Sequence, residues 1–295
     1  MPVTANLFAF DATCRQTART LIDMALAEDL GAHGDITTRA LPHKRGDNLV
    51  SARIIAKAEG VIAGLPLVFE VFARAHVACK LKTEEGERVA PRMVVAELNG
   101  EANAILTYER TALNFLQRLS GIATHTHKFV ETVAGTKAII LDTRKTTPGW
   151  RALEKYAVRC GGGKNHRMGL HDMFLIKENH IAAAGGIGAA VQSCRAYAQT
   201  QKKKWRVEVE AKNWEEVEQC LQAGVDQIML DNMPLADMRH AVQLVAGRVP
   251  LEASGNVTLE RIAAIAATGV DYISSGSLTH SAPALDFSLL LDGAA

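Results

Sequence analysis

From residue 138 to residue 277 the chain alternates short apolar runs with polar or glycine-rich clusters. Ala138 to Leu141 runs into Asp142-Thr143-Arg144-Lys145, and Met173 to Ile176 runs into Lys177-Glu178-Asn179. Four more follow: Val207 to Glu210, Gln227 to Leu230 before Asp231-Asn232, Pro250 to Ala253 before Ser254-Gly255-Asn256, and Asp271 to Ile273 before Ser274-Ser275-Gly276. Helical patterns such as Trp214 to Ala223 and Leu259 to Ala267 separate most of them. The steps from Glu210 to Asp231, Ser254 and Ser275 are 21, 23 and 21 residues, the length of one strand-helix unit. Ala-Gly-Val-Asp-Gln-Ile at 223 to 228 returns as Thr-Gly-Val-Asp-Tyr-Ile at 268 to 273, and each glycine should cap a helix before the next strand. Six such strands in series predict an α/β fold, a parallel α/β barrel that is complete or lacks a strand.

The first half reads differently. Leu49 to Ile55, Val77 to Leu81 and Val94 to Leu98 are β-like runs separated by Gly60, Gly64, Gly86 and Pro91, and a helix is predicted over Gln16 to Asp29. These predict a smaller N-terminal α+β domain over residues 1–120. A helix from Ala104 to Leu119, with Leu113, Phe115, Leu116 and Leu119 on its apolar side, leads into a barrel domain over 121–280. The tail 281–295 is expected to pack on the first domain.

Composition narrows the class. Thirty-three basic against 32 acidic side chains give a net charge of +1, and 48% of the chain is hydrophobic. That is a folded globular protein with no nucleic-acid or membrane-surface partner expected from its charge. The most apolar stretch, Gly60 to Phe72, contains Pro66 and Glu70 and falls short of the roughly 18 residues a membrane span needs. No basic patch leads into an apolar run at the N-terminus, so no secretory signal is expected. The five cysteines are scattered and odd in number, which predicts reduced thiols and a cytoplasmic location.

In a parallel barrel the active face lies where the βα loops begin, and the polar clusters all fall there. Alternation sends Val207 and Val209 to the helices and Glu208 and Glu210 to the barrel axis. Buried carboxylates cost several kcal/mol, at order of magnitude, unless compensated, so they belong either to an active site or to an ion-pair network with Arg144, Lys145 and Lys177. Arg144, Lys145, Arg159, Lys164, His166, Arg167 and Lys177 fall inside 34 residues, more positive charge than Glu208, Glu210 and Asp231 balance. The excess points to a ligand with several negative groups. For Arg159 and Lys164, a solvated loop charge explains the residue equally well.

The turns Ser254-Gly255-Asn256 and Ser275-Gly276-Ser277 end the last two strands, where barrels often bind phosphate, with Thr258 a candidate N-cap. Gly161-Gly162-Gly163-Lys164 lacks the spacing of a nucleotide-binding loop and reads as a flexible lid. His125 and His127 stand two apart, on different faces of a helix, which favours packing over metal binding. Arg110 lies three residues before Leu113, close to the apolar stripe, and either stacks in packing or reaches a ligand or a partner subunit.

Glu28-Asp29-Leu30-Gly31 with Gly34-Asp35-Ile36-Thr37-Thr38, Glu109-Arg110-Thr111-Ala112-Leu113-Asn114, Ser120-Gly121-Ile122-Ala123-Thr124, Asp142-Thr143-Arg144-Lys145-Thr146-Thr147-Pro148-Gly149, and Asn165-His166-Arg167 through Lys177-Glu178-Asn179-His180 resemble the quinolinate phosphoribosyltransferases. The resemblance covers nearly the whole chain. It implies transfer of phosphoribose from 5-phosphoribosyl 1-diphosphate to quinolinate with decarboxylation, giving nicotinate mononucleotide, diphosphate and carbon dioxide in NAD biosynthesis. It also implies a homodimer in which Arg110 reaches the neighbouring site, and Arg110, Arg144, His166, Arg167 and Lys177 holding the quinolinate carboxylates. Thr143 and Lys145 would lie at the substrates, with Lys145 beside the diphosphate. Glu210 and Asp231 would face the ribose and the associated Mg²⁺; Ser254, Gly255, Asn256, Ser275, Gly276, Ser277 and His280 would hold phosphate. Rival readings are a Schiff-base aldolase using Lys145 or Lys177, and a non-catalytic phosphometabolite-binding regulator.

Overall fold

The computed structural model describes residues 9–40 and 49–292. Its strands are β1 Leu49–Ala56, β2 Gly60–Val61, β3 Ala78–Leu81, β4 Arg88–Val89, β5 Val94–Glu101, β6 Ile139–Leu141, β7 Phe174–Ile176, β8 Val207–Ala211, β9 Gln227–Asp231, β10 Leu251–Ser254, β11 Tyr272–Ser274 and β12 Phe287–Leu291. They form two main sheets, ordered β12-β1-β5-β3 and β6-β11-β10-β9-β8-β7.

The first sheet is antiparallel, with Arg53 opposite both Leu290 and Glu97. Along β1, Ala52, Ile54 and Ala56 are buried while Ser51 and Leu49 are exposed, the period of two expected of a sheet with one covered face. The second sheet is wholly parallel, and no pairing joins β6 to β7 among the described residues. Its interior strands bury alternate side chains on both faces, as in β9, where Gln227 to Leu230 are all buried. The α/β class expected from the sequence is therefore present.

The internal repeat has a structural counterpart. Asp226 Oδ2 accepts from Val207 N at 2.7 Å, and Asp271 Oδ2 accepts from Leu251 N at 2.8 Å, so each aspartate satisfies the first amide of a strand. Gly224, at φ +69°, caps the helix Trp214–Ala223 as expected. In the second copy the helix is shorter, Ile262–Ala266, and ends on Ala267 before Gly269 turns the chain. Thr258 does not cap it. Arg261 holds that position, and Thr258 contributes its carbonyl, which accepts from Ile262 N at 3.0 Å.

Two compact units divide the chain at places other than those expected. One comprises residues 1–127, 146–162 and 281–295, the other 128–145 and 163–280. The first cut falls inside one helix, Ala102–Thr132, because its apolar stripe continues past Leu119 through Ile122, Ala123 and Phe129 without a breaker. Residues 146–162, assigned to the barrel from sequence, belong to the first unit. Their helix Arg151–Cys160 buries Leu153, Tyr156, Ala157 and Val158, and Glu154 accepts from Arg118 at 2.7 Å. The glycine run that follows is not a lid. A Cβ on Gly161 would lie 2.3 Å from Ala123 O, so this glycine allows close backbone packing at the helix end.

Gly121 serves the same purpose. An added Cβ would stand 2.1 Å from Pro283 O, a backbone atom that can retreat only by moving the chain. Alanine normally favours a helix by about 1 kcal/mol over glycine. Overpacking against backbone costs about 1–3 kcal/mol and should prevail, so Gly121→Ala is expected to lower stability in urea unfolding. A gain of stability would show that the helix and the 281–284 segment are not in contact.

Candidate active site

Every strand of the parallel sheet delivers polar groups from its C-terminal end. Thr143, Arg144 and Lys145 follow β6, Lys177 follows β7, Glu210 and Asp231 lie near the ends of β8 and β9, and Ser254 and Ser274 end β10 and β11. With His166, Arg167, Leu175, Met229, Asn232, Glu252 and Gly255 they line a cleft of about 310 Å³, a volume suited to one small ring compound. Its placement is the one barrel enzymes use.

The cleft floor is a buried polar layer. Glu208 and Glu252, both fully buried, share the side chain of Gln227, whose Nε2 donates to Glu208 Oε1 at 2.7 Å and to Glu252 Oε2 at 2.8 Å. His166 Nε2 lies 3.0 Å from Glu208 Oε2 and 3.5 Å from Glu252 Oε2. Burial opposes a charged imidazole, but hydrogen bonds and charge from the two glutamates raise its pKa overall. Arg167 N lies 2.7 Å from His166 Nδ1, and Nε2 faces Glu208. Fully buried Asp142 fixes this stretch, accepting from Asn165 Nδ2 at 2.6 Å and His166 N at 2.9 Å.

Burial and then the negative charge of Glu208 push the Glu252 carboxyl up, which favours its protonated form. Two adjacent buried glutamates are tolerable on those terms. Glu252→Gln, nearly isosteric with the protonated acid, should therefore cost no more than about 1 kcal/mol in urea unfolding at pH 7. A loss of about 3 kcal/mol or more would mean that a charge had been removed from a buried pair. His166, Glu208 and Glu252 also bring three donor atoms within 4.8 Å of one another. The Gln227 amide already bonds both carboxylates, so hydrogen bonding explains the cluster without an ion.

Above the floor the cations divide. Lys177 Nζ contacts Glu210 Oε1, one of the ion pairs foreseen for a structural network. Arg167 is 8% exposed. Burial, and next the charge of Arg144, lower its pKa, and its Nη1 donates to Met173 O at 3.4 Å. Arg144, Arg167 and Lys145 line the same cleft, a concentration of positive charge suited to a multiply negative ligand.

The two turns expected to hold phosphate differ from each other. Gly255 and Asn256, at φ +91° and +49°, form a left-handed bend, and Asn256 Nδ2 donates to Oδ1 of Asn232, which follows β9, at 3.0 Å. A Cβ on Gly255 would strike the Asn232 side chain at 2.2 Å. Around Gly276, the hydroxyls are engaged internally: Ser275 Oγ donates to Val257 O at 3.2 Å and lies 2.7 Å from Ser277 Oγ. Ser275 N is likewise engaged, donating to Leu141 O at 3.0 Å. His280 is exposed, with its ring beside Gly276.

Other expected residues lie apart. Arg110 is exposed on the helix Ala102–Thr132 and is not among the cleft-lining residues. Arg159 belongs to the first unit, with its guanidinium 5.6 Å from the Tyr156 ring centre. Lys164 serves through its backbone, donating to Ile140 O at 2.8 Å beside β6. Sequence reasoning missed Glu252, Gln227 and Asp142. The alternation that turned Glu208 inward applies equally to Leu251-Glu252-Ala253, so that signal was available.

Cations and carboxylates gathered at the C-terminal end of a wholly parallel sheet mark an α/β enzyme. The family model described as quinolinate phosphoribosyl transferase, C-terminal domain, matches residues 122–290, and that for the N-terminal domain matches 35–120. The chain belongs to the quinolinate phosphoribosyltransferase family. It is 44% identical, over 93% of this chain and 82% of the relative, to a Nicotiana glauca protein named quinolinate phosphoribosyltransferase (decarboxylating) 2, mitochondrial. A probable carboxylating nicotinate-nucleotide pyrophosphorylase of Bacillus subtilis is 43% identical over 92% of each chain. Among solved structures, the nicotinate-nucleotide pyrophosphorylase of Francisella tularensis superposes with a TM-score of 0.89 at 41% identity, covering 94% of this chain and 96% of that one.

Proposed function

We propose that this protein transfers phosphoribose from 5-phosphoribosyl 1-diphosphate to the ring nitrogen of quinolinate, with loss of carbon dioxide, to give nicotinate mononucleotide and diphosphate. The observation that carries the reading is the cleft itself: Arg144, Lys145, His166, Arg167 and Lys177 stand opposite Glu210 and Asp231 at one end of one sheet. Arg144, His166, Arg167 and Lys177 take the two ring carboxylates, with Thr143 beside them. A second copy of the chain supplies Arg110, consistent with its exposure outside the cleft-lining set. The amides of the Ser254-Gly255-Asn256 and Ser275-Gly276-Ser277 turns, with His280, take phosphate.

Glu210 and Asp231 fit a hard divalent cation. They offer carboxylate oxygens from neighbouring strands, β8 and β9, and both are partly exposed. Mg²⁺ held there would neutralise charge on the diphosphate. The same carboxylates oppose the positive charge that develops on the ribose as diphosphate departs, and Lys145 faces the leaving group. Attack by the ring nitrogen makes a pyridinium, whose positive nitrogen stabilises the electron pair left on the adjacent ring carbon as its carboxylate departs as carbon dioxide; a proton from solvent then replaces the carboxylate at that carbon. The chain's task in that step is to hold the ring still.

No helix among the described residues is long and apolar enough to cross a membrane, and all five cysteines are free. Both features are consistent with a cytoplasmic enzyme. The test is an assay with quinolinate, phosphoribosyl diphosphate and Mg²⁺, following nicotinate mononucleotide and carbon dioxide, with and without a chelator. Absence of both products, or equal use of nicotinate, would overturn the reading. Restoration of activity on mixing an Arg110→Ala subunit with a cleft-defective one would support the shared site.

A further inference from the structure

Lys145 is the last residue of the barrel unit before the chain departs through 146–162 into the other unit. A lysine at the start of such a connection has a flexible stem on a backbone that no strand holds, since β6 ends at Leu141. Nevertheless, its main chain is fixed on both sides. Lys145 N donates to Thr143 Oγ1 at 3.0 Å, and Lys145 O accepts from Thr279 Oγ1 at 2.7 Å.

Thr279 is fully buried in the single helical turn Ser277–His280 after β11, and β11 is the strand paired with β6. Its hydroxyl also approaches Gly276 O, more distantly at 3.1 Å. The loop after β11 therefore binds the loop after β6 through one buried hydroxyl. The exposed side chain also runs close by: a Cβ on Gly276 would lie 2.8 Å from Lys145 Cδ, so the lysine stem passes directly over this glycine. The nearest obstacle to that Cβ is flexible side chain, not backbone. A methyl group there would displace the lysine at little cost to the fold.

We propose that Thr279 and Gly276 are positioning residues for Lys145, Thr279 anchoring its backbone and Gly276 leaving the groove in which its side chain lies. The inference rests on the role assigned to Lys145 above. It gives the Ser275-Gly276-Ser277 turn a second task besides anion binding, and it explains why a buried threonine on one loop spends its hydroxyl on the carbonyl of another.

The test uses full-length Thr279→Val, Thr279→Ser, Gly276→Ala and Lys145→Ala, with kcat, the KM for quinolinate and the thermal midpoint measured for each. Misplacing a reacting group by about an ångström costs one to two orders of magnitude. Thr279→Val and Gly276→Ala should therefore lower kcat about tenfold or more, with the quinolinate KM within about twofold of wild type. Thr279→Ser, which keeps the hydroxyl, should recover most of the loss. Acetylation of Lys145 by acetic anhydride, followed by mass spectrometry of the folded enzyme, should proceed at a changed rate in the valine and alanine variants. Wild-type kcat in both of those, beside an inactive Lys145→Ala, overturns the anchor but not the role of Lys145. A loss of kcat that serine fails to restore and that follows the thermal midpoint also overturns it, in favour of a purely structural threonine. Wild-type turnover in Lys145→Ala removes the role of Lys145 itself and the anchor with it.

Discussion

Glu210→Ala is expected to lower kcat by about a hundred- to a thousandfold, the loss typical of removing one fixed charge aimed at a developing transition-state charge. The same substitution should leave stability within about 1 kcal/mol of wild type. The two effects separate because of where Glu210 stands. It lies one residue before the end of β8, at the mouth of the cleft, and its partner Lys177 is 47% exposed and can be solvated by water once alone. Asp231, partly exposed at the end of β9 and bonded to the Asn232 amide, should behave similarly. Glu210→Gln distinguishes charge from shape: it can still accept from Lys177, so recovery would assign Glu210 to holding the lysine, and an alanine-like loss would assign it to electrostatics. Wild-type turnover in both Glu210→Ala and Asp231→Ala would remove these carboxylates from the reaction.

Strand positions in the parallel sheet were legible because a strand buried on both faces writes itself as an apolar run, and every polar cluster that followed such a run lies at its C-terminal end. Tertiary exchange was not legible. Residues 146–162 follow β6 directly, yet their helix buries Leu153, Tyr156 and Val158 within the first unit. Nothing in local periodicity says which core an amphipathic helix will join. The same limit applies to Gly161. A glycine needed for lid motion and one needed because a Cβ would lie 2.3 Å from another backbone oxygen look alike in sequence.

The site was legible in its charges and less so in what supports them. Arg144, Lys145, Arg167, Lys177, Glu210 and Asp231 all line the cleft. The layer of Gln227, Glu208 and Glu252 beneath His166 depends on three neighbouring strands in register, with Glu208 paired to Gln227 and Met229 to Glu252. Residues 19 to 44 apart in sequence meet there only because the sheet order is β8-β9-β10. Arg110 marks the opposite limit: its role was inferred from a motif, and it is not among the residues that line the cleft.

Arg167→Met is expected to raise the KM for quinolinate about a hundredfold while leaving the free enzyme as stable as wild type, or more so. In the free enzyme Arg167 is 8% exposed, and both burial and the neighbouring Arg144 oppose its charge. Its hydrogen bond to Met173 O, at 3.4 Å, is long and contributes little. A neutral side chain of similar length removes the desolvated, repelled cation and keeps the packing. With substrate bound the balance reverses, because a carboxylate left in the cleft without its guanidinium costs about 2–5 kcal/mol. Ligand-induced stabilisation gives the readout. At a quinolinate concentration 100 times the wild-type Kd the wild-type enzyme should gain about 2.7 kcal/mol, whereas a variant binding a hundredfold more weakly gains about 0.4 kcal/mol. Equal gains would show that Arg167 does not touch the ligand. A variant much less stable than wild type without ligand would show instead that the cation supports the fold, since the Asp172, Glu208 and Glu210 charges that favour it would then outweigh burial and Arg144.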